Sequence, residues 1–156
     1  MMKENVKADE LSRYEVLKCT ECTGFNLKRA SRLVQNLFDE AFRPVGLEGT
    51  QYTVLGHAFV YGPISLTKLA DLMHVDRTTL ARNLAPLEKR GFVEIKPGSD
   101  RRAKFINITS KGKEVLSEAL PLWKETQKKI KTAVGLENWE SMISNLTGLV
   151  TKLNEN

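Results

Sequence analysis

Apolar side chains recur at helical spacing early in the chain. From Phe25 to Phe42 they return every three or four residues, until Pro44 and Gly46 interrupt the pattern. Proline and glycine are typical residues of a helix end. The pattern therefore predicts a long helix over about residues 24–43.

Two more apolar stripes occupy the last third of the chain. Thr109 can cap a helix whose stripe runs from Val115 to Val134, and a second stripe runs from Leu136 to Leu153. Each stripe is too apolar to face water alone. We therefore expect a subunit partner to cover these helices, with packing within the chain as the alternative.

Shorter elements are predicted between these long helices. Thr50 can cap a helix through "QYTVLGHAFVYG", which ends where "YGP" breaks it. Ile64 then resembles a short strand, and Ser65 can cap a helix of about two turns. The three residues "HVD" (74–76) separate it from the next helix, for which Asp76 is a good N-cap. The pair reads as a helix-turn-helix.

The second helix of this pair has two unlike faces. Leu80, Leu84 and Leu87 fall within about 40 degrees of one another on a helical projection, which predicts a core face. The other side and its edges carry Thr78, Thr79, Arg82, Asn83 and Lys89. Such side chains suit base edges and phosphates. Pro86 falls inside the helix and predicts a bend or an early end there.

A charged hairpin is predicted next. "FVEIK" and "AKFINIT" alternate apolar and polar residues, and "PGSD" supplies the turn between them. Arg101, Arg102 and Lys104 crowd together at the tip. Their repulsion costs little in water and is relieved by a phosphate or a narrow minor groove, so the crowding favours DNA as the partner.

Composition narrows the class of protein. The chain has 156 residues, 41% hydrophobic and 28% charged, which suits one globular domain over 1–156. Of the formal net charge of +5, most lies in residues 63–105, which hold nine basic and five acidic side chains. No apolar run could span a bilayer, and "MMKENVKADE" lacks the apolar region of a signal peptide, so we expect no membrane partner and a cytoplasmic location.

No motif of an enzyme is present. The chain lacks a glycine-rich phosphate loop and the Gly-x-Ser-x-Gly and His-Glu-x-x-His motifs, and its two histidines are His57 and His74. His57 lies in an apolar helix, and His74 lies in the turn before the polar-faced helix. We expect no catalytic residue, no cofactor and no metal site.

The segment "DRTTLARNLAPLEKRGFVEIKPGSDRRAKFINITSKGKEVL" resembles the MarR family of bacterial winged-helix transcription regulators. The resemblance covers all but about the first 20 residues. It implies a mainly α fold with a small β-hairpin, in which a winged-helix DNA-binding lobe (48–109) is flanked by helical dimerisation regions (10–45 and 110–156). It also implies a homodimer that binds double-stranded DNA as a repressor, with recognition helices in major grooves and wings in minor grooves.

The resemblance also implies roles for particular residues. Arg102 would enter the minor groove and Asp100 would orient it, whereas the family varies at Arg101. An effector would enter a groove near Phe25, Tyr52 and His57. Together with the residue pattern this gives a predicted DNA-binding set of Ser65, Thr67, Arg77, Thr78, Thr79, Arg82, Asn83, Lys89, Asp100, Arg101, Arg102 and Lys104.

The only cysteines, Cys19 and Cys22, exclude a secreted disulfide scaffold but leave three interpretations open. A metal site would need two further ligands that the sequence does not offer nearby. A redox pair could close a disulfide and move the helix that follows. Two unreactive thiols are the third interpretation.

Two other classes of protein fit the same sequence. A winged helix can act as an architectural or protein-interaction module that does not distinguish DNA sequences, and the cysteines could serve a metal or redox sensor. Binding that distinguishes one inverted repeat from random duplex separates the regulator from the architectural module.

Overall fold

The computed structural model describes residues 16–98 and 103–155, except for the side chain of Cys19. The chain divides into two compact units, one ending at Leu37 and the other beginning at Phe38. The helices are α1 Thr23–Phe42, α2 Gly49–Tyr61, α3 Leu66–Leu72, α4 Arg77–Lys89, α5 Ser110–Val134 and α6 Leu136–Asn154. The strands are β1 Ile64–Ser65, β2 Val93–Pro97 and β3 Lys104–Ile108, and short 3-10 helices cover Lys18–Glu21 and Arg43–Val45.

The end of α1 follows the predicted break. A 3-10 turn over Arg43–Val45 continues from Phe42, and Gly46 then adopts a left-handed conformation with φ of 66°. The Gly46 N–H donates to the carbonyl of Arg43 at 3.0 Å. A residue with a side chain would be strained at this φ, so glycine terminates the helix here.

The start of α2 differs from the prediction. Its N-cap is Glu48 and not Thr50, and the side chain of Gln51 accepts from the Glu48 N–H at 3.2 Å. Asp39 also accepts from the Gly49 N–H at 2.7 Å. Because Asp39, ten residues earlier, satisfies a free donor of the first turn, the helix begins before Thr50.

The hairpin is part of a larger sheet than predicted. All three strands are antiparallel in the order β1-β3-β2, with Ile64 opposite Ile106 and Val93 opposite Ile108. The predicted two-stranded hairpin is β2 and β3, and β1 adds a third strand on the other edge of β3. The predicted fold class, mainly α with a small β-hairpin, is confirmed, and the hairpin is part of a three-stranded sheet.

One core joins the sheet to α2, α3, α4 and the first half of α5. Its largest fully buried side chains are Phe42, Val54, Leu55, Leu69, Leu80, Leu84, Leu87 and Ile106. Removing such an apolar side chain from water contributes about 1.5–3 kcal/mol each. The core therefore fixes the orientation of α4 against the rest of the lobe.

The junction between sheet and α5 is close-packed. Thr109 caps α5 as predicted, accepting from the Gly112 N–H at 3.0 Å, and its hydroxyl lies 2.7 Å from the carbonyl of Gly91. A Cβ on Gly112 would lie 2.0 Å from the carbonyl oxygen of Phe92. Only glycine permits this approach, so α5 begins directly against the end of α4 and the start of β2.

The two ends of the described chain expose apolar side chains. Exposed ones on α6 are Leu136, Met142, Ile143, Leu146, Val150 and Leu153, and those of the N-terminal unit include Phe25, Leu27, Leu33, Val34 and Leu37. Across residues 16–98 and 103–155, no helix is both long enough and apolar enough to cross a membrane.

Candidate nucleic-acid interface

The helix-turn-helix is fixed by capping hydrogen bonds. Ser65 Oγ accepts from the Lys68 N–H at 3.2 Å, as predicted for the start of α3. The turn is one residue longer than predicted, because α3 ends at Leu72 and Met73 lies outside it. His74 closes the turn with φ of 50°, a conformation that a side chain seldom adopts.

Asp76 holds the start of α4 in two ways. Its carboxylate accepts from the Thr79 N–H at 2.9 Å and from the Thr79 hydroxyl at 2.6 Å. The Thr79 hydrogen bonds lower the pKa of Asp76 below its ordinary range, the hydroxyl more than the amide. The predicted N-cap is confirmed, and the Thr79 hydroxyl hydrogen is donated to it.

The two faces of α4 separate as the sequence predicts. Leu80, Leu84 and Leu87 are completely buried. Thr78, Arg82 and Lys89 are exposed on the other side. The helix continues through Pro86 to Lys89, so it does not end at the proline, and a bend there stays a prediction. The result is a rigid helix with one anchored and one polar, cationic face.

The other predicted DNA-binding residues on α3 and α4 differ in how exposed they are. Thr67 and Arg77 are exposed at the starts of α3 and α4, whereas Ser65, Thr79 and Asn83 are half-buried. Thr79 is committed to the cap, so its contribution to a DNA contact would be to position α4. As DNA-binding residues these remain predictions.

The wing is only partly described. Asp100, Arg101 and Arg102 lie outside the described residues, and Lys104 is exposed at the start of β3, opposite Pro97. On β2, Lys96 Nζ lies 2.8 Å from Glu94 Oε1, and this contact with Lys96 lowers the pKa of Glu94. Lys96 is a cation of the wing that the predicted set does not include.

Two basic residues near the wing have structural contacts instead. Arg90 donates to the carbonyl of Gly46 and lies 4.4 Å from the centre of the Phe92 ring. Lys111 lies over the same ring and donates to the carbonyl of Arg90 at 3.0 Å. Arg90 is therefore the one of these two residues that belongs to the basic segment 63–105, and it is held in contacts within the chain.

Comparison with known proteins identifies this arrangement. The sequence profile of the MarR family matches residues 47–104. The transcriptional regulator MosR of M. tuberculosis, solved in complex with DNA, is 32% identical with a TM-score of 0.78, and the alignment covers 86% of this chain and 97% of MosR. The chain belongs to the MarR family. The family and its solved members are transcriptional regulators and not enzymes.

This MarR-family chain also resembles a regulator that has been solved twice, once bound to DNA and once bound to a small molecule. The repressor CouR, known from Rhodococcus jostii RHA1, is 27% identical when bound to a 23-mer DNA duplex, with a TM-score of 0.77 and coverage of 85% of this chain and 95% of CouR. CouR bound to p-coumaroyl-CoA is 25% identical, with a TM-score of 0.76 and coverage of 85% and 94%.

A groove beside α2 coincides with part of the predicted effector site of this MarR-family chain. It has a volume of about 380 Å³ and is lined by Tyr52, Gly56, Phe59, Val60, Lys113, Leu116, Ser117 and Leu120. The Tyr52 ring stacks on Phe42 with ring centres 4.7 Å apart, and burial raises the pKa of Tyr52. The groove is mainly apolar, with one cation, Lys113.

The other predicted effector and redox residues are not among the residues that line this groove. His57 Nδ1 is 2.8 Å from the Thr53 carbonyl, and His57 lines a neighbouring depression that also includes Gly56. Phe25 is exposed in the N-terminal unit. Cys22 is exposed as a free thiol, and the Cys19 side chain lies outside the described part of the chain. Within that described part, His, Cys, Asp and Glu form no cluster that could hold a metal.

Proposed function

We propose that the chain is a homodimeric repressor that recognises a pseudo-palindromic operator and releases it in response to a small-molecule or oxidative signal. The observation that carries the proposal is α4. Its three leucines are fully buried, so its outer face presents Thr78 and Arg82 on a fixed helix. Such a helix suits insertion into the major groove.

The polar residues divide into two kinds of contact. Arg82, Thr78 and Asn83 lie along the outer face and edge of α4, where a recognition helix reads base edges. Ser65, Thr67, Arg77 and Lys89 lie at helix ends, where contacts to phosphates position the protein. Thr79 positions the helix through the cap.

The wing supplies the second groove contact. Lys104 lies at the exposed start of β3, and Asp100, Arg101 and Arg102 precede it in the sequence. We assign Arg102 to the minor groove, with Asp100 orienting it, because narrow minor grooves attract arginine. Arg101 and Lys104 would contact the flanking phosphates.

The proposed dimer is supported by apolar side chains that are exposed to water in the single chain. The side chain of Leu153 on α6 is 67% exposed and that of Leu33 in the N-terminal unit is 60% exposed. Exposed apolar side chains of this kind on a helix are typical of an interface. We place dimerisation in the helical regions 10–45 and 110–156 and DNA binding in 48–109, all in one domain. A two-fold dimer would then present its recognition helices to half-sites about 34–36 Å apart.

Release by a small molecule is supported by the groove beside Tyr52. It is apolar, lies between α2 of the DNA-binding lobe and the long helix α5, and holds one cation at Lys113. A molecule bound in this groove would contact α2, which packs in the same core as α4. The relative CouR has been solved with both DNA and p-coumaroyl-CoA. Such a regulator works in the cytoplasm, with the chromosome.

Footprinting tests the proposal directly. The full chain is titrated onto DNA flanking its own gene, and protection is compared with a duplex of the same composition and scrambled order. We expect two protected half-sites one helical turn apart and clear preference for the natural sequence. Equal protection of both duplexes would favour an architectural module and refute the proposed operator recognition.

A further inference from the structure

Helix α4 ends in a Schellman motif. The Gly91 N–H donates to the carbonyl of Glu88 at 2.9 Å. The Phe92 N–H donates to the carbonyl of Leu87, also at 2.9 Å. Gly91 has a φ of 74°, the left-handed conformation that this motif requires. Phe92 and Leu87 are both buried, so the chain leaves α4 in one fixed direction.

The start of α5 binds the carbonyl groups of this turn. Lys111 Nζ donates to the carbonyl of Arg90 at 3.0 Å. Thr109 donates its hydroxyl to the carbonyl of Gly91 at 2.7 Å and its N–H to that of Phe92 at 3.0 Å. Three consecutive carbonyls that follow α4 therefore each have a donor from the start of α5.

The side chain of Arg90 reaches the turn between α1 and α2. Its guanidinium donates to the carbonyl of Gly46, and its Cζ lies 4.4 Å from the centre of the Phe92 ring. A Cβ on Gly46 would lie 3.0 Å from Arg90 Nη2, so the guanidinium packs directly against the glycine backbone. Arg90 thus connects the end of α4 with a turn 44 residues earlier in the chain.

The same turn leads back to the groove beside Tyr52. Gly46 follows the 3-10 turn that begins after Phe42, and the Phe42 ring stacks on the Tyr52 ring with centres 4.7 Å apart. The Leu47 N–H donates to the carbonyl of Phe42 at 3.2 Å, which closes the turn. A short series of contacts therefore joins the groove to Arg90.

A guanidinium suits such a connection better than apolar packing does. Contacts among the buried leucines of α4 are not directional, whereas the planar guanidinium donates its hydrogen bonds in fixed directions. The leucines determine which face of α4 is exposed, and Arg90 determines where its C-terminal end lies. Readout of base edges depends on both, because donors and acceptors must meet within hydrogen-bonding distance.

We propose that Arg90 is a positioning residue for DNA recognition, which holds the end of α4 against the turn before α2 and does not itself contact DNA. Movement of that turn would then be passed to the recognition helix. The proposal rests on the operator recognition proposed above. Arg90 makes no ion pair with a carboxylate of residues 16–98 and 103–155, so a phosphate contact is the competing role that the experiment must separate.

Operator affinity and its salt dependence separate the two roles. The parent and Arg90→Gln are titrated onto the footprinted operator and a random duplex by fluorescence anisotropy over a range of salt concentrations. We expect operator affinity to fall about fivefold, as for the loss of one net hydrogen bond, with random binding and the salt slope unchanged. Loss of a phosphate contact would weaken both duplexes and reduce the slope by about one unit, which would overturn the proposal.

Arg43→Gln is the matched control. Arg43 belongs to the same turn, but its guanidinium pairs with Glu40. The substitution removes the same group and the same charge, and it should leave the preference for the operator unchanged. Equal losses from Arg43→Gln and Arg90→Gln, or an unchanged preference in Arg90→Gln, would overturn the proposal.

Amide hydrogen exchange of the full-length protein tests the connection without DNA. In Arg90→Gln, the amides of residues 46–48 and 90–92 should exchange at least about threefold faster than in the parent, whereas those of α3 should keep their rates. Equal acceleration in α3 would indicate general destabilisation, and unchanged exchange at residues 46–48 would show that the turn is not coupled to α4. Either result would overturn the proposal.

Failure of the proposed function gives a different result. A parent protein that binds operator and random duplex equally would refute operator recognition, and with it the role of Arg90 in DNA recognition. The exchange rates of Arg90→Gln would still decide whether Arg90 couples the turn to α4.

Discussion

The outer face of α4 and the outer face of α6 are both exposed, but their chemistry is opposite. On α4 the exposed residues are Thr78, Arg82 and Lys89, which water solvates well. On α6 the exposed residues include Leu146 and Val150, whose apolar side chains water solvates poorly. Both helices carry a regular stripe of apolar residues, yet only the stripe of α4 is buried within the chain. The chain thus completes its own recognition lobe but leaves part of its C-terminal surface for another molecule.

The difference shows that amphipathic spacing alone does not say where a stripe is buried. The leucines of α4 pack into a core shared with α2 and β3. The stripe of α6 has no buried residue at all. A partner that covers α6 must therefore be apolar, whereas a partner of α4 must be polar and anionic.

The largest effect should come from placing charge on the exposed face of α6. Leu146→Glu combined with Val150→Glu would bury two carboxylates in a dimer interface, so we expect the dimer dissociation constant to rise at least about 100-fold. Operator binding should be lost with the dimer. Analytical ultracentrifugation measures the first effect and fluorescence anisotropy the second.

Ser144→Glu is the matched control for this experiment. Ser144 is exposed about 160 degrees away from Leu146 around the same helix. It should leave the dimer intact. A double variant that remains as dimeric as the parent would show that the exposed face of α6 is not part of the dimer interface.

Arg82→Ala should give the next largest effect. If Arg82 reads a base edge, its loss should weaken specific binding by about 1–3 kcal/mol, or about 5- to 150-fold, and random binding far less. Competition between operator and random duplex measures the ratio. Lys129→Ala removes the same formal charge from distant α5 and should leave the ratio unchanged. Equal losses on both duplexes would assign Arg82 to the phosphate backbone.

The sequence predicted the parts of this lobe that depend on neighbouring residues. Asp76 caps a helix through Thr79, three positions away, and the leucine spacing of α4 follows from helix geometry. At α2 the local pair Glu48 and Gln51 forms a capping box that the prediction of Thr50 missed. The further acceptor, Asp39, lies ten residues earlier, beyond the reach of the local pattern. The short strand at Ile64 was predicted, but its place in the sheet was not, since Ile64 pairs with Ile106 from a distant part of the chain.

Helical periodicity predicted which residues of the candidate site are exposed, but it did not predict their contacts with distant parts of the chain. Periodicity placed Thr78 and Arg82 on an outer face, and the structure puts them there. Periodicity could not show that Arg90 and Lys111 lie over the ring of Phe92, because that contact joins the end of α4 to the start of α5. Counting cations along the chain therefore does not show which of them have contacts within the protein.

Arg102→Ala tests the wing with a smaller expected effect. Removing one cation from the interface should lower operator affinity and reduce the slope of log affinity against log salt by about one unit. Asp100→Ala should act in the same direction but less. Anisotropy titrations over a range of salt concentrations give both slopes. Unchanged affinity of Arg102→Ala across that range would refute the assignment of Arg102 to the minor groove.

Oxidation tests whether the N-terminal unit regulates DNA binding. Cys22 is an exposed free thiol three residues after Cys19, and α1 begins at the next residue. We predict that mild oxidation with diamide closes a disulfide between them and weakens operator binding severalfold, reversibly with dithiothreitol. Cys22→Ser should abolish the response. Unchanged affinity after mass spectrometry has shown complete oxidation would leave two unreactive thiols as the correct interpretation.

The smallest expected effect concerns the acid dependence of the α4 cap. Because hydrogen bonds from Thr79 lower the pKa of Asp76 in the folded chain, its carboxylate stabilises the fold at neutral pH. That contribution is lost as the pH falls below about 4 and through the lowered pKa. Asp76→Asn keeps a capping oxygen but no charge. Its free energy of unfolding in urea should therefore be lower than that of the parent at pH 7, and this deficit should shrink in acid.

Asp71→Asn, which removes an exposed carboxylate from α3 without touching the cap, controls for net charge. A deficit of Asp76→Asn that stayed constant down to pH 3 would show that the charge of Asp76 does not hold the recognition helix.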